Sequence, residues 1–238
     1  MNIKIIGSGS SGNCYRIDDG QTALLIECGL PVKKIKSGCD YDLSAISGCI
    51  VTHEHKDHSL AVNDLMKAGV DVYMTNGTAQ ACNAETYRLK LWNRDGIDRI
   101  KKPFYHFERI GTLTVKPYMS HHDAAEPVFY LIESTATRER LLFVTDSYYI
   151  DYSFGSLTHI MVEANFCADS LADSENDPRR SRLRRSHMSI ENCIGLLKAN
   201  DLSHVREIWL IHLSSNNGDA EDFKHRVQKA TGRPTYVA

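Results

Sequence analysis

The sequence predicts an α/β protein in which two mixed sheets pack face to face and carry helices on their outer faces, a four-layer αββα sandwich. Strand-like segments come first, strands then alternate with segments of helical periodicity, and this order repeats in the second half of the chain. The 238 residues contain no repeats and no long linker, so a single domain over residues 1–238 is expected. The element order also fits other α/β folds, so the choice depends on the motifs below.

The first half of the chain contains five predicted strands and three predicted helices. Apolar segments between turn residues predict strands at residues 2–6, 15–18, 22–28, 47–53 and 70–75. Apolar residues at helical spacing predict helices at residues 29–38, 59–69 and 76–91. Pro31 suits a first helical turn, and Gly69 suits a helix end.

The second half is predicted in the same way. Strands are expected at residues 112–120, 127–134, 140–146, 159–165 and 207–213. Helices are expected at residues 189–200 and 219–232. The segment DSENDPRRSRLRRS, residues 173–186, has a biased composition and is expected to be a surface loop.

Composition narrows the classes of function. The formal net charge of -2 does not indicate a polyanionic partner, so any contact with nucleic acid requires a local patch. No apolar run reaches the ~18 residues that span a bilayer, and the N-terminus lacks signal-peptide features, so we expect a cytoplasmic protein without membrane contacts. The seven cysteines include no C-x-x-C pair, which argues for simple thiols rather than disulfides or a thiolate zinc site.

The segment IVTHEHKDHSL concentrates ionisable groups directly after an apolar run. Its H-x-H-x-D-H pattern consists of His53, His55, Asp57 and His58. His53 and His55 alternate, so their side chains leave an extended backbone on the same side. Imidazole and carboxylate are ligands for zinc, manganese or iron, and a cation offsets the cost of crowding them. The pattern therefore predicts a metal site at the end of a strand.

The segment THEHKDH resembles the signature of the metallo-β-lactamase-fold hydrolases. Four more segments match that superfamily in order: SHHDAAEP, FVTDS, VEAN and IHLSSNNGD. GSGSSGNC, HDAAEP, EAN, an HMS segment and HLSSNN together resemble one small bacterial branch with phage-borne relatives, regarded as metal-dependent DNA exonucleases. The resemblance covers nearly the whole chain, and it implies the αββα fold.

The resemblance also implies two divalent metal ions as cofactors, zinc or manganese, with iron also suited to the ligands. His53, His55 and His122 would hold the first ion, Asp57, His58 and His212 the second, and Asp146 would bridge them. Two ions about 3.5–4 Å apart lower the pKa of a shared water towards ~7, and the resulting hydroxide is the expected nucleophile. Seven protein ligands leave positions open for water and substrate.

Several neighbouring residues have competing interpretations. His121 competes with His122, but the branch places the ligand directly before Asp-Ala, which favours His122. Glu54 and Lys56 alternate with the two histidine ligands along the chain. They are expected either to face solvent or to contact the ligands from outside the metal site. The histidines outside any motif are expected to be surface or core residues, and they are His106, His159, His204 and His225.

Asp57 and His187 are the predicted catalytic residues. Asp57 would bind the second ion and orient the nucleophile. His187, in RRSHMSIEN, would donate a proton to the leaving oxygen, because imidazole titrates near neutral pH. The alternative for His187 is a surface histidine at the start of a helix.

Two segments are candidates for contacting substrate. Five arginines directly precede His187, at positions 179, 180, 182, 184 and 185, and guanidinium binds phosphate in a bidentate manner. Arg184 and Arg185 are the predicted contacts, and a solvated loop is the alternative. In GSGSSGN the candidates are Ser10, Ser11 and Asn13, although the segment lacks the P-loop ending and a tight turn is its simpler role.

These features and the resemblance predict a dinuclear metal-dependent phosphodiesterase that acts on DNA, and 5′–3′ exonuclease action is one form that this activity could take. The alternative is a hydrolase of small esters, thioesters or lactones with the same metal core. Phe166 and Cys167 replace the His-Asp pair that commonly follows EAN in the branch, so the chemistry of the cleft could differ. The sequence does not identify the native metal or the oligomeric state. It also does not decide whether the substrate is DNA, RNA or a small molecule, or from which end an exonuclease would digest.

Overall fold

The computed structural model describes residues 1–97, 103–168, 178–214 and 218–238. The chain divides into two compact units. Unit 1 contains Met1–Met119 and Ala124–Arg138, and unit 2 contains Ser120–Asp123 and Glu139–Ala238. The expected single domain stays a prediction. Among the described residues, no helix has the length and apolar character that a membrane span requires.

Unit 1 contains a six-stranded mixed sheet. Its strands, in spatial as well as chain order, are β1 (Asn2–Gly7), β2 (Cys14–Asp18), β3 (Ala23–Ile26), β4 (Ile46–Ile50), β5 (Val72–Met74) and β6 (Leu89–Leu91). The first three strands are antiparallel, and β3 to β6 are parallel. The helices of this part are α1 (Val32–Gly38), α2 (Lys56–Ser59), α3 (Val62–Lys67) and α4 (Asn76–Ala81). Leu25, Val51 and Leu65 are fully buried in the apolar core that these elements share.

The rest of unit 1 is antiparallel. The strands β7 (Arg94–Ile97) and β8 (Pro103–Tyr105) pair, and β10 (Leu113–Met119) lies between β9 (Glu108–Ile110) and β11 (Val128–Ser134). Asp19 ties this part to the turn after β2, because its carboxylate accepts hydrogen bonds from Thr112 and Ser134, each at 2.6 Å. Burial alone would raise the pKa of Asp19, but these hydrogen bonds lower it to about 2.

Unit 2 contains four parallel strands, β12 (Arg140–Val144), β13 (His159–Glu163), β14 (Glu207–Ile211) and β15 (Thr235–Val237). Its helices are α5 (Pro178–Ser186), α6 (Ile190–Lys198) and α7 (Ala220–Thr231). The side chain of Ser189 caps α6, that of Asp219 caps α7, and Gly232 ends α7 in the left-handed conformation. Parallel strands need such crossover helices.

Most predicted strands are confirmed, and several helix boundaries are wrong. The helix predicted at 76–91 ends at Ala81, because Asn83 adopts a left-handed φ of 50°. The helix predicted at 59–69 begins at Val62 and follows the separate turn of α2, and the strand predicted at 47–53 ends at Ile50. The surface loop predicted at 173–186 is wrong for residues 178–186, which form α5 with Pro178 at its first position. Residues 173–177 lie outside the described residues.

Neighbouring backbone holds the H-x-H-x-D-H segment in place within unit 1. The amide of Asn13 donates to the carbonyl of Asp57 at 2.7 Å, and the amide of Cys28 donates to the carbonyl of His58 at 2.8 Å. Gly29 lies so close that an added Cβ would overlap the backbone of Asp57 and His58. A residue with a side chain at position 29 would therefore push the predicted ligands out of place.

We expect Gly29→Ala to lower the free energy of unfolding by about 3 kcal/mol, the upper end of typical overpacking costs. The matched control is Gly195→Ala in α6, where the new Cβ has no described atom within 4 Å apart from its chain neighbours and the adjacent backbone of the helix. That variant should be neutral or more stable, because alanine favours helix over glycine by up to about 1 kcal/mol. Urea unfolding measures both, and equal stability of the two variants would contradict this account.

Candidate metal centre

In unit 1, the loop after β4 brings three imidazole rings together. Nε2 of His53 lies 3.1 Å from Nδ1 of His55, and the ring centroids of His53 and His58 lie 4.2 Å apart. His53 and His58 are buried, and His55 is half-buried. The hydroxyl of Thr52 lies 2.9 Å from Nδ1 of His53, on the side of the ring away from His55. Two ring nitrogens this close need a proton or a cation between them.

Asp57 and His58 lie in α2, and His55 stands at its N-cap position. Nε2 of His58 lies 3.4 Å from Oδ2 of Asp57. On the other side of the ring, Nδ1 lies 3.6 Å from Oε1 of Glu27, which is fully buried. Burial raises the pKa of Glu27, and contacts with His58 and Thr52 lower it in part. A carboxylate behind a ligating histidine orients its ring and sets its tautomer.

The three predicted substrate contacts of the GSGSSGN segment differ in exposure. Ser10 and Ser11 are exposed, and Asn13 is fully buried. The amide nitrogen of the Asn13 side chain donates to the carbonyl of Asp57 at 3.1 Å and lies 3.2 Å from Nε2 of His58. The described contacts of Asn13 therefore position the metal motif. Substrate contact at these three residues stays a prediction.

In unit 2, ionisable side chains gather at the carboxyl ends of adjacent parallel strands, where α/β sheets bind ligands. Asp146 follows β12, Glu163 ends β13 and His212 follows β14. His187 joins them, and all four offer ligand atoms within 4.8 Å of one another. Asp146 and His212 have positive φ values of 46° and 54°, in the left-handed region that residues other than glycine adopt uncommonly.

Glu163 is at the centre of this cluster, and the sequence analysis did not identify it. Its Oε1 lies 2.7 Å from Nδ1 of His187 and 3.1 Å from Nδ1 of His212, and its Oε2 accepts the amide of Met188 at 3.1 Å. Glu163 is fully buried at the end of an apolar strand. A glutamate at the end of an apolar strand, next to strands that end in predicted ligands, is the signal by which the sequence could have revealed Glu163. Glu27, directly after the apolar strand β3, carries the same signal.

The charges of the cluster favour a protonated His187. Burial alone would lower the pKa of His187, but the carboxylates of Glu163 and Asp146 raise it to about 11. Burial alone would raise the pKa of Glu163, but the charge of His187 lowers it below the usual value. Because Nδ1 of His187 faces Glu163 and Asp146, Nε2–H is the donor that the ring can direct elsewhere.

The adjacent histidines His121 and His122 contact different partners. Nδ1 of His122 donates to the carbonyl of Ser186 at 2.8 Å, which leaves the lone pair on Nε2, the arrangement typical of a ligating histidine. Nε2 of His121 lies 2.6 Å from Oδ2 of Asp151. The preference for His122 over His121 as a ligand stays a prediction.

The remaining candidates lie close in the chain to His187 or to Glu163. Arg184 and Arg185 are exposed on α5, whereas the side chains of Arg179 and Arg180 lie outside the described part of the chain. Phe166 is buried and bridges to Ser189 through its backbone. Cys167 contacts Glu191 and Arg226, at 3.4 and 3.5 Å.

The donor groups fit divalent metal ions. Each unit presents imidazole nitrogens and carboxylate oxygens at short separations, and this mixed set suits zinc, manganese and iron. The second nitrogens of His58, His122 and His212 each face a carboxylate or carbonyl oxygen. This arrangement of outer partners is the usual one around metal-binding histidines.

Comparisons with known proteins agree with this chemistry. A sequence model described as "Beta-lactamase superfamily domain" matches residues 25–213. The chain is 27% identical over 234 residues to "Exodeoxyribonuclease WalJ" of Streptococcus pneumoniae, covering 91% of this chain and 83% of that protein. It is 24% identical over 247 residues to "Exodeoxyribonuclease YycJ" of Bacillus anthracis, covering 93% and 85%.

A solved structure has a similar fold. The metallo-beta-lactamase fold protein YhfI from Bacillus subtilis superposes with a TM-score of 0.74 at 17% identity, covering 99% of this chain and 95% of that one. The fold class predicted from the sequence is confirmed.

Proposed function

The chain belongs to the beta-lactamase superfamily, and on that premise we propose that it is a metal-dependent hydrolase of phosphodiester bonds in DNA. The observation that carries the proposal is similarity over 91% of the chain to a protein named an exodeoxyribonuclease, in a chain that has the H-x-H-x-D-H side chains. We further propose a cytoplasmic location and removal of nucleotides from a 5′ end. Zinc and manganese are the proposed metals.

The proposed ligand sets are those expected from the superfamily resemblance. His53, His55 and His122 would hold one ion, Asp57, His58 and His212 the other, and Asp146 both. A pair of divalent ions lowers the pKa of bound water and neutralises charge on the attacked phosphate. The proposal is supported by the donor distances within unit 1 and by the cluster around Glu163 within unit 2.

Residues of the chain would orient the attacking water and donate a proton to the leaving oxygen. Asp57 is 27% exposed, so its carboxylate can accept a hydrogen bond from the attacking water and orient it. His187 is 21% exposed and is held protonated by Glu163, so its Nε2–H can protonate the leaving oxygen. Arg184 and Arg185, exposed on α5 just before His187, would bind the phosphates of the DNA backbone.

The first test is hydrolysis of linear and of covalently closed circular duplex DNA, with manganese or zinc added. We expect wild type to release nucleotides from the linear form only, and Asp57→Ala to lose at least about a hundredfold of the rate. Asp64→Ala, at an exposed position of α3, is the matched control and should keep full activity. Equal activity of Asp57→Ala would indicate a contaminant. Cleavage of thioesters without any cleavage of DNA would favour the alternative hydrolase.

The second test concerns the proton that His187 supplies. His187→Ala should lower kcat on DNA by roughly 10²–10⁴-fold, because the leaving alkoxide then lacks its acid. On the p-nitrophenyl ester of thymidine 5′-phosphate the loss should be much smaller, since nitrophenolate leaves without a proton. His204→Ala, at an exposed histidine, is the control. An equal loss on both substrates would assign His187 a structural role instead.

A further inference from the structure

Unit 2 has a cavity of about 460 Å³ beside the predicted ligand His122. Its walls include His121, Tyr148, Asp123, Arg182 and Arg185. The volume is within the range of roughly 300–1,000 Å³ that is usual for small-molecule sites. Neither the metal chemistry nor the proton transfer explains why aromatic rings and guanidinium groups meet here.

Tyr148 is an exposed ring on a fixed backbone. Tyr148 is 37% exposed, whereas Asp146, two residues earlier, is buried. Its amide donates to the carbonyl of His121 at 3.3 Å, and its carbonyl accepts from the side chain of Asn192 at 2.9 Å. The hydroxyl of Ser147 accepts the amide of His121 and donates to the carbonyl of Tyr149, at 2.9 and 2.8 Å. An aromatic ring held this way can stack on a ligand at a small cost in entropy.

The ring of His121 extends this aromatic wall. Its centroid lies 5.1 Å from that of Tyr148 at an interplanar angle of 45°. The 2.6 Å contact between Nε2 of His121 and Asp151 fixes its orientation. Because the two rings are tilted by 45°, a planar group can stack on only one of them, and the ring of Tyr148 is the more exposed.

The lining of the cavity also includes positively charged side chains. Arg182 and Arg185 project from α5, and Asp123 is the one carboxylate among the residues that line the described cavity. Asp123 accepts from Arg182 at 2.7 Å and from the hydroxyl of Ser186 at 2.9 Å. Two guanidinium groups against one carboxylate favour an anionic ligand.

We propose that this cavity is a subsite for one nucleotide of single-stranded DNA, with its base stacked on Tyr148 and its phosphate against Arg185. This inference rests on the proposed function and deepens it. A nucleotide combines the two properties that the cavity selects, a planar ring system and a negative charge. Stacking tolerates every base, because each has a π-face, so the subsite would hold the strand without reading its sequence.

The test combines Tyr148→Ala with removal of single bases from the substrate. Single-stranded oligonucleotides carry one abasic site at the first, second or third nucleotide, and both KM and the Kd from fluorescence anisotropy are measured. Tyr148→Ala should raise both constants roughly 5- to 150-fold for intact DNA, as expected for loss of one stacked base. At one position, base removal should have the same effect in wild type and no further effect in Tyr148→Ala.

Three further variants act as controls. Tyr148→Phe keeps the ring and should bind like wild type. Tyr87→Ala removes a ring that is 81% exposed in unit 1 and should change nothing. Arg185→Ala should weaken binding of intact and abasic strands alike, because the phosphate remains in both.

The outcomes separate this inference from the proposed function. If wild type cleaves DNA and Tyr148→Ala binds intact DNA as wild type does, the subsite is wrong and the hydrolase proposal stands. If Tyr148→Ala lost the same amount of affinity for intact DNA and for every abasic strand, the subsite would also be wrong. If wild type cleaves no DNA but binds it through Tyr148, the subsite is supported and the hydrolase proposal fails. If wild type neither binds nor cleaves DNA, both are wrong.

Discussion

The close approach of imidazole nitrogens and carboxylate oxygens is the constraint on which the rest of the molecule depends. In unit 1, ring nitrogens of His53 and His55 lie 3.1 Å apart, and in unit 2, Glu163 lies 2.7 and 3.1 Å from the rings of His187 and His212. Groups of this kind, removed from water, destabilise a fold unless a proton or cation is shared among them. A bound cation would lower this cost, as would a proton shared between the groups.

The surrounding structure fixes each donor in advance. The carbonyl of Ser186 favours the tautomer of His122 that carries its proton on Nδ1. The carboxylate of Glu163 favours the same tautomer of His212. Gly29 and Asn13 hold the backbone that carries Asp57 and His58. Because the rings and the backbone are already oriented, little reorganisation remains when a cation or a substrate arrives.

Apolar periodicity predicted the α/β class and the spacing within six residues predicted the metal motif, because both are local properties. The αββα arrangement itself was implied by the resemblance of that motif and four further segments to a known superfamily. Glu163 and Glu27 were missed, because a carboxylate at a strand end has meaning only once the neighbouring strands are known. Asn13 was predicted as a substrate contact from a glycine-rich segment, and its burial depends on packing that one segment cannot reveal. The arginine-rich segment was predicted as a loop, yet arginine and leucine favour helix, and residues 178–186 form one.

Anomalous diffraction from a crystal soaked in manganese or zinc tests the central claim most directly. The account predicts two strong peaks per chain, with His53 and His55 among the ligands of one and His58 and His212 among those of the other. It also predicts Asp146 in contact with both. The absence of any peak near these side chains, or ions bound only by residues outside the two sets, would contradict the account.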